Sequence, residues 1–420
     1  CLFGKFCCIL REKYLPGDKE TPLAGANPSG GDLLTYQQPW ETGYAPKAAP
    51  PEPDSRISEI DPQNPFENVL ENPEYRMDYR RTLPQILLPG YQIPLFPERD
   101  ERKAIRKSFN TAGFWIFMSC VLEQVLFLVL MLVIFLCMGV SPGQYLFGLS
   151  DKAQAYFQNS SLLIALNGLL FSVLNTSIAL IGCRRMRIAP RSLFQTKDLR
   201  AGTAIRYIIT GISLQCVAGL AYTALESIFS VSDQLAEADF SYFQSGKSII
   251  ATMLYTCILA PVTEELLYRG FLMKTLSRVG CRFAIIVSAL MFGMAHGNIS
   301  QMMLGVLVGL FLGKIDMRHN SLLPSILVHM GINTTSMILN LLQYYSDSSL
   351  GTLLLVQSGM FYYAIALLGI IFWFWKERKQ PLPYPTQKQC TRNRIFWSSP
   401  WLLTAFGLLI TLTIYNQLAA

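Results

Sequence analysis

Long apolar stretches separated by short polar ones extend from residue 113 to residue 416. Most are about 20 residues or longer, which is the length a helix needs to cross a bilayer. The stretches lie at 113–140, 160–182, 203–230, 248–276, 283–298, 299–317, 321–345, 349–375 and 396–416. The fifth and sixth are short and nearly continuous, so "HGNIS" between them must form a tight turn. The pattern predicts an all-α, polytopic membrane helix bundle with eight or nine transmembrane helices.

The first 112 residues differ in composition from the rest of the chain. They are rich in proline, glycine and charged residues, as in "YAPKAAPPEPDSR", and contain no long apolar run. Such segments bury too little apolar surface to offset the entropy lost on folding. We predict a mostly disordered tail over 1–112 and a transmembrane domain over 113–420, with the chemically informative residues in 247–345.

The charge distribution supports the membrane assignment and also predicts on which side of the membrane the N-terminus lies. Only 15% of the residues are charged and 51% are hydrophobic, whereas soluble domains are about 25% charged. The basic residues concentrate before span one and in every second loop after it, and the alternate loops are poor in lysine and arginine. By the positive-inside rule, the N-terminal tail is cytoplasmic. The net charge of +7 thus reflects contact with a lipid bilayer and predicts no nucleic-acid partner.

The stretch "APVTEELLYRG", residues 260 to 270, places charged residues inside the fourth span. Ionisable groups within a membrane are costly and indicate a functional site by default. Glu265 and Arg269 are spaced i,i+4, so they share one helix face and are predicted to pair. Glu264 is rotated about 100° away around the helix, which leaves it available for another task.

The three histidines of the chain occupy two kinds of environment. His319 sits in the basic turn "DMRHN" and is predicted to be a solvated loop residue. His296 and His329 lie inside apolar runs. Counted from the basic ends of their spans, Glu264 and His296 lie roughly 21 Å deep and His329 about 16 Å deep. Histidines with unrelated structural roles would not be expected to reach the same depth as a glutamate.

A carboxylate, two imidazoles and an amide in a sheltered cavity can hydrolyse an acyl bond. Glu264 can take a proton from water while His296 orients that water. His329 and Asn333, spaced i,i+4, can donate hydrogen bonds to the oxyanion. No GxSxG elbow is present and no cysteine is placed to pair with histidine, so we favour an activated water over a covalent nucleophile.

A zinc site is the alternative use of these side chains. Two histidines and a glutamate are suitable zinc ligands, but the helical HExxH pattern is absent, and we predict no cofactor.

Three further groups of residues accompany these candidates. Phe292 lies i,i+4 from His296 and is expected to support it. Gly305, Gly309 and Gly313 recur every four positions, which lets helix backbones approach closely in a membrane. Glu123, about ten residues inside span one, either lines the cavity or hydrogen-bonds a neighbouring helix.

Three short motifs together indicate a family. "EELLYR" is an EExxxR motif, "FGMAH" is FxxxH and "HMGIN" is HxxxN. In this order, on successive spans, they resemble the CPBP (CAAX protease and bacteriocin-processing, or Abi) intramembrane endopeptidases. The resemblance covers roughly residues 247 to 345 and implies a glutamate-dependent membrane protease. It implies that Glu264 and His296 activate water, that His329 and Asn333 form the oxyanion hole, and that Glu265 and Arg269 support the site.

We therefore expect an intramembrane endopeptidase that cleaves a membrane-associated protein or peptide substrate. The alternative is a non-catalytic scaffold or bacteriocin-immunity protein of the same fold. A transporter would favour inverted repeats, and the Glu/Arg segment has no second copy in the sequence. The diversity of bacterial members of the family favours a bacterial plasma membrane.

Overall fold

The computed structural model describes residues 97–137, 161–195, 199–229, 243, 245–278, 280–379 and 394–419. All of them belong to one compact unit, Asp61–Ala420. The tail prediction for residues 1–96 falls outside the described residues. Helix α1 begins at Pro97, so residues 97–112, predicted as part of the tail, are helical.

The described residues form nine main helices and no strand. The helices are α1 Pro97–Cys137, α2 Ser161–Arg185, α3 Ala201–Phe229, α4 Gly246–Ser277, α5 Cys281–Met294, α6 Ile299–His319, α7 Leu323–Tyr344, α8 Ser349–Phe372 and α9 Pro400–Ala419. The π-helical segment Trp373–Glu377 continues α8, and 3₁₀ turns occur at Pro190–Phe194 and Arg394–Ser398.

Seven helices in this part of the chain, α1 to α4 and α6 to α8, are long and apolar enough to cross a membrane. They confirm the predicted membrane helix bundle. Helix α9 has 20 residues, most of them apolar. The predicted fifth span is shorter than expected, since α5 has 14 residues and reaches only about 21 Å, less than the ~30 Å hydrocarbon core.

The tight turn predicted at "HGNIS" explains why α5 ends early. Gly297 has a positive φ of 74°, a conformation that glycine adopts at little cost. The side chain of Asn298 then accepts a hydrogen bond from the backbone N–H of Gln301 at 2.8 Å and caps α6. Chain reversal is therefore completed within a few residues, and α6 packs back along α5.

Glycines bring α6 into backbone contact with α5. A Cβ atom added to Gly305 would lie 2.8 Å from the Cα of Gly293, and one added to Gly309 would lie 3.1 Å from the Cβ of Ala289. The glycine stripe therefore packs helices together, as the sequence predicts. This contact holds His296, which follows α5, close to α6.

Helix α4 is at the centre of the largest apolar cluster. Every side chain from Leu266 to Met273 is buried, and Phe271, Leu272 and Met273 are 0% exposed. Residues of α1, α2, α5, α7 and α9 belong to the same cluster. Glu265 and Arg269, both 0% exposed, are therefore held inside this cluster.

Candidate active site

Two π-helical segments, Tyr255–Leu259 and Leu266–Met273, widen α4 on either side of the paired glutamates. In a π-helical register the carbonyl of Thr256 would accept from the residue at 261, which is proline and has no N–H. The side-chain Nδ2 of Asn333 donates to that carbonyl instead, at 2.8 Å. Pro261 and Asn333 together thus fasten α7 to α4 at Thr256, about two turns before the glutamates.

Glu265 is the buried anion of the site. It is 0% exposed, and its Oε1 lies 3.1 Å from Nη1 of Arg269, which confirms the pair predicted from their i,i+4 spacing. The same oxygen lies 2.9 Å from Nδ1 of His329. Because a carboxylate paired with arginine only accepts hydrogen bonds, Nδ1 of His329 is the donor and its tautomer is fixed.

His329 lies between the two adjacent glutamates. Its Nε2 is 3.8 Å from Oε2 of Glu264, a side chain that is 25% exposed. This distance exceeds a direct hydrogen bond and suits a bridging water. The meeting of Glu264 and His329 agrees with their similar predicted depth. The contact of His329 with Glu265 was not anticipated, although one imidazole can reach two carboxylates rotated about 100° apart.

Arg269 is held by an aromatic ring as well as by its carboxylate. Its guanidinium carbon lies 4.1 Å from the ring centroid of Phe292, within range of a cation–π interaction. The arginine side chain is 0% exposed. A Cβ atom on Gly309 would lie 3.0 Å from its Nη2. The absence of a side chain at position 309 therefore makes room for the guanidinium.

His296 follows α5 and is exposed. Its Nδ1 lies 2.9 Å from the carbonyl oxygen of Phe292, so Nδ1 donates and Nε2 keeps its lone pair. The ring of Phe292 contacts the rings of His296 at 4.9 Å and His329 at 5.6 Å between centroids. Among the described contacts, His296 joins the site through Phe292, and none joins it directly to Glu264.

Asp316 supports the position of α7, although the sequence pattern did not indicate this role. It is 0% exposed, and its Oδ1 accepts a hydrogen bond from the backbone N–H of Ser325 at 3.1 Å. Ser325 lies in the first turn of α7, where backbone N–H groups need acceptors. Asp316 therefore connects the end of α6 to the helix that carries His329. Its position beside "MRHN" suggested a loop and concealed this role.

We expect Asp316→Ala to lower the free energy of unfolding by about 1–2 kcal/mol, because the first turn of α7 loses an acceptor. Asp316→Asn keeps an oxygen at that position and should lose less. Unfolding of both purified variants by sodium dodecyl sulfate titration measures the difference. Equal stability of the alanine and asparagine variants would contradict the capping role.

Two other polar residues have helix-to-helix partners. The Nε2 atom of His319 lies 2.9 Å from the hydroxyl of Tyr207, and His319 is the last residue of α6. The prediction that it is a solvated loop residue is therefore wrong. Glu123 of α1 hydrogen-bonds Asn175 of α2 and also interacts electrostatically with Glu264, so both of its predicted roles have support.

Comparison with protein families gives a match over residues 246–335, to the model described as Type II CAAX prenyl endopeptidase Rce1-like. The matched segment begins with α4 and ends within α7, so it contains all three motifs. No curated protein and no solved structure matches the chain. The match confirms, for this segment, the resemblance to the CAAX protease family of membrane endopeptidases.

Proposed function

From the premise that residues 246–335 are a CAAX-endopeptidase-like segment, we propose that this membrane protein hydrolyses a peptide bond of a membrane-associated substrate. The observation that carries the proposal is the position of His329 between Glu264 and Glu265. One carboxylate is buried and paired, whereas the other is partly exposed. This division is what a site needs to orient one group and leave another free to react.

Glu264 is the general base in this proposal. Its carboxylate is 25% exposed and lies 3.8 Å from Nε2 of His329, so a water molecule can contact both groups. Glu264 takes one proton from that water as the oxygen attacks the substrate carbonyl. The exposed ring of His296 can orient the same water or the substrate through Nε2. The proton taken by Glu264 ends on the amide nitrogen of the leaving fragment.

His329 and Asn333 stabilise the oxyanion. Nδ1 of His329 already donates to Glu265. Glu264 passes the proton that it took from water to Nε2 of His329, which donates to the oxyanion while it carries that proton and then gives it up to the leaving amide nitrogen. One N–H of the Asn333 amide is used by Thr256 and the other is available to the substrate. Donors held in this way need little reorganisation as charge develops.

We propose that the mechanism uses no metal cofactor. The guanidinium of Arg269 lies 3.1 Å from Glu265, and Nδ1 of His329 donates to the same carboxylate. A divalent cation at Glu265 would be repelled by Arg269 and would have to displace the histidine proton. A zinc enzyme would lose activity in a chelator, whereas this site should not.

The class of substrate and the membrane that contains the protein are also proposals. Because the matched family is described as a CAAX prenyl endopeptidase, we propose peptides that end in a prenylated CAAX sequence as the first substrates to test. The basic alternate loops support a cytoplasmic N-terminus, and a bacterial plasma membrane is the environment we propose.

Cleavage by the purified full-length protein in lipid nanodiscs tests this function. Farnesylated CAAX peptides, the same peptides without the prenyl group, and membrane-anchored helical peptides would be followed by mass spectrometry, with and without EDTA. We expect cleavage of at least one membrane-associated peptide at a rate that EDTA leaves unchanged. A correctly folded protein that cleaves none of them would favour a non-catalytic scaffold, and loss of activity in EDTA would favour a metal.

A further inference from the structure

A separate cleft of about 690 Å³ lies at the end of the bundle where α1 begins. Helices α1, α2 and α9 all contribute to its wall. Its basic side chains are Lys103, Arg106 and Lys107 from α1 and Arg185 from the last turn of α2. None of these residues belongs to the candidate active site or lies within the segment that matches the endopeptidase family.

Close packing of α9 on α1 forms one side of the cleft. A Cβ atom on Gly113 would lie 2.2 Å from the backbone nitrogen of Leu402, so the two helices touch at backbone level. The side-chain oxygen of Asn110 accepts a hydrogen bond from the backbone N–H of Trp401 at 3.3 Å. Trp401 also contacts Phe114 edge-on, with 5.1 Å between ring centroids. The cleft therefore has a fixed aromatic wall beside its cations.

Three of the four cations in the cleft are open to a negatively charged ligand. Arg106, Lys107 and Arg185 are exposed, and no ion pair joins them to a carboxylate within the part of the chain that the structure describes. Like charges gathered around one cavity repel one another. An anion with several oxygen acceptors would relieve that repulsion and could bind two arginines at once.

The face of α1 below the cleft is apolar. Phe114 and Val125 lie 7 and 18 residues beyond Lys107, positions that fall on nearly the same side of a helix with 3.6 residues per turn. Val125 is 48% exposed, and Leu128, close to this face, is 53% exposed. A ligand in the cleft thus has cations at one end and exposed apolar surface along the same helix. This polarity matches a lipid better than a soluble anion.

We propose that this cleft binds the phosphate headgroup of an anionic phospholipid. Arg106, Lys107 and Arg185 contact the phosphate oxygens, and the rings of Phe114 and Trp401 pack at the level of the glycerol, where aromatic side chains favour the membrane interface. The acyl chains follow the apolar face of α1. Basic pockets between membrane helices recognise anionic headgroups in this way.

Lipid binding by the full-length protein in detergent tests the site. Native mass spectrometry would compare phosphatidylglycerol with phosphatidylcholine, using inorganic phosphate as a competitor. The test variant carries Arg106→Gln, Lys107→Gln and Arg185→Gln. A matched control carries Arg184→Gln, Arg191→Gln and Arg200→Gln, which removes the same charge from exposed positions outside the cleft. Arg185→Gln alone provides a milder variant.

We expect the wild type to prefer phosphatidylglycerol, the cleft variant to bind it about a hundredfold more weakly, and the control to change much less. Arg185→Gln should give an intermediate loss. Equal losses in the cleft and control variants, or equal binding of the two lipids by the wild type, would overturn the site. Displacement of lipid by phosphate at comparable concentration would overturn its assignment to a lipid. The readout does not use proteolysis, so it is independent of the proposed function.

Discussion

Replacing Glu264 with glutamine is expected to reduce peptide cleavage by about 10³-fold, because a positioned general base contributes about 10²–10⁴-fold. Glutamine has almost the same shape but cannot take a proton from water. The fold should persist, since Glu264 is 25% exposed and its approach to His329 is 3.8 Å rather than a direct hydrogen bond. Initial cleavage rates in nanodiscs, with binding of the uncleaved peptide measured in parallel, give the size of the effect.

The matched control for this loss is Glu226→Gln. Glu226 lies near the end of α3, away from the motifs, so its substitution removes the same charge without touching the site. Its cleavage rate should stay within about twofold of the wild type, in keeping with the small effects of substitutions away from special features. If the two glutamine variants cleaved equally well, Glu264 would not be the base and a scaffold function would gain support.

Replacing Arg269 with methionine is expected to give the largest loss of stability. The side chain is 0% exposed, is paired with an equally buried Glu265 and lies over the ring of Phe292. Its removal leaves a buried carboxylate without its cation, which typically costs about 3–5 kcal/mol. Titration with sodium dodecyl sulfate, followed by circular dichroism, would measure the free energy of unfolding.

Three further variants identify the cause of that loss: Arg184→Met, Glu265→Gln alone, and Arg269→Met combined with Glu265→Gln. Arg184→Met removes an exposed arginine and should change stability by less than about 0.5 kcal/mol. Combining Arg269→Met with Glu265→Gln removes both charges, so the double variant should be more stable than Arg269→Met alone. If the double variant lost the sum of the two single effects, lost packing rather than the unpaired carboxylate would explain the result.

The membrane helices and the depth of the polar residues could be predicted because both depend on position along the chain. Apolar length determines the spans, and counting from their basic ends placed Glu264, His296 and His329 at similar depth. The structure brings His329 close to Glu264, whereas no described contact joins His296 directly to Glu264. The pairing of Glu265 with Arg269 followed from i,i+4 spacing. These are one-dimensional properties, and the sequence contains them directly.

Contacts that depend on helix rotation could not be predicted in the same way. Spacing along a helix does not show which face of α4 meets α7, so the second contact of His329, with Glu265, was not apparent. The stacking of Arg269 on Phe292 requires knowing which faces of α4 and α5 meet. The use of Asn333 to satisfy Thr256 becomes understandable only once Pro261 is seen to leave that carbonyl without a donor.

The early end of α5 has a related explanation. Its apolar residues continue almost to the next helix, so composition alone predicted a span over 283–298. The positive φ of Gly297 and the cap at Asn298 instead end the helix at Met294. His296 consequently lies past the helix end, where its exposed ring can reach water.

Cleavage of a membrane-anchored peptide in H₂¹⁸O by wild type and Glu264→Gln, side by side in nanodiscs with EDTA present, would show whether Glu264 activates water for hydrolysis. The wild type should place one ¹⁸O atom in the new C-terminal carboxylate of the product. The glutamine variant should form labelled product no faster than peptide incubated without protein. Labelled product formed at equal rates by the two proteins would mean that Glu264 is not the general base.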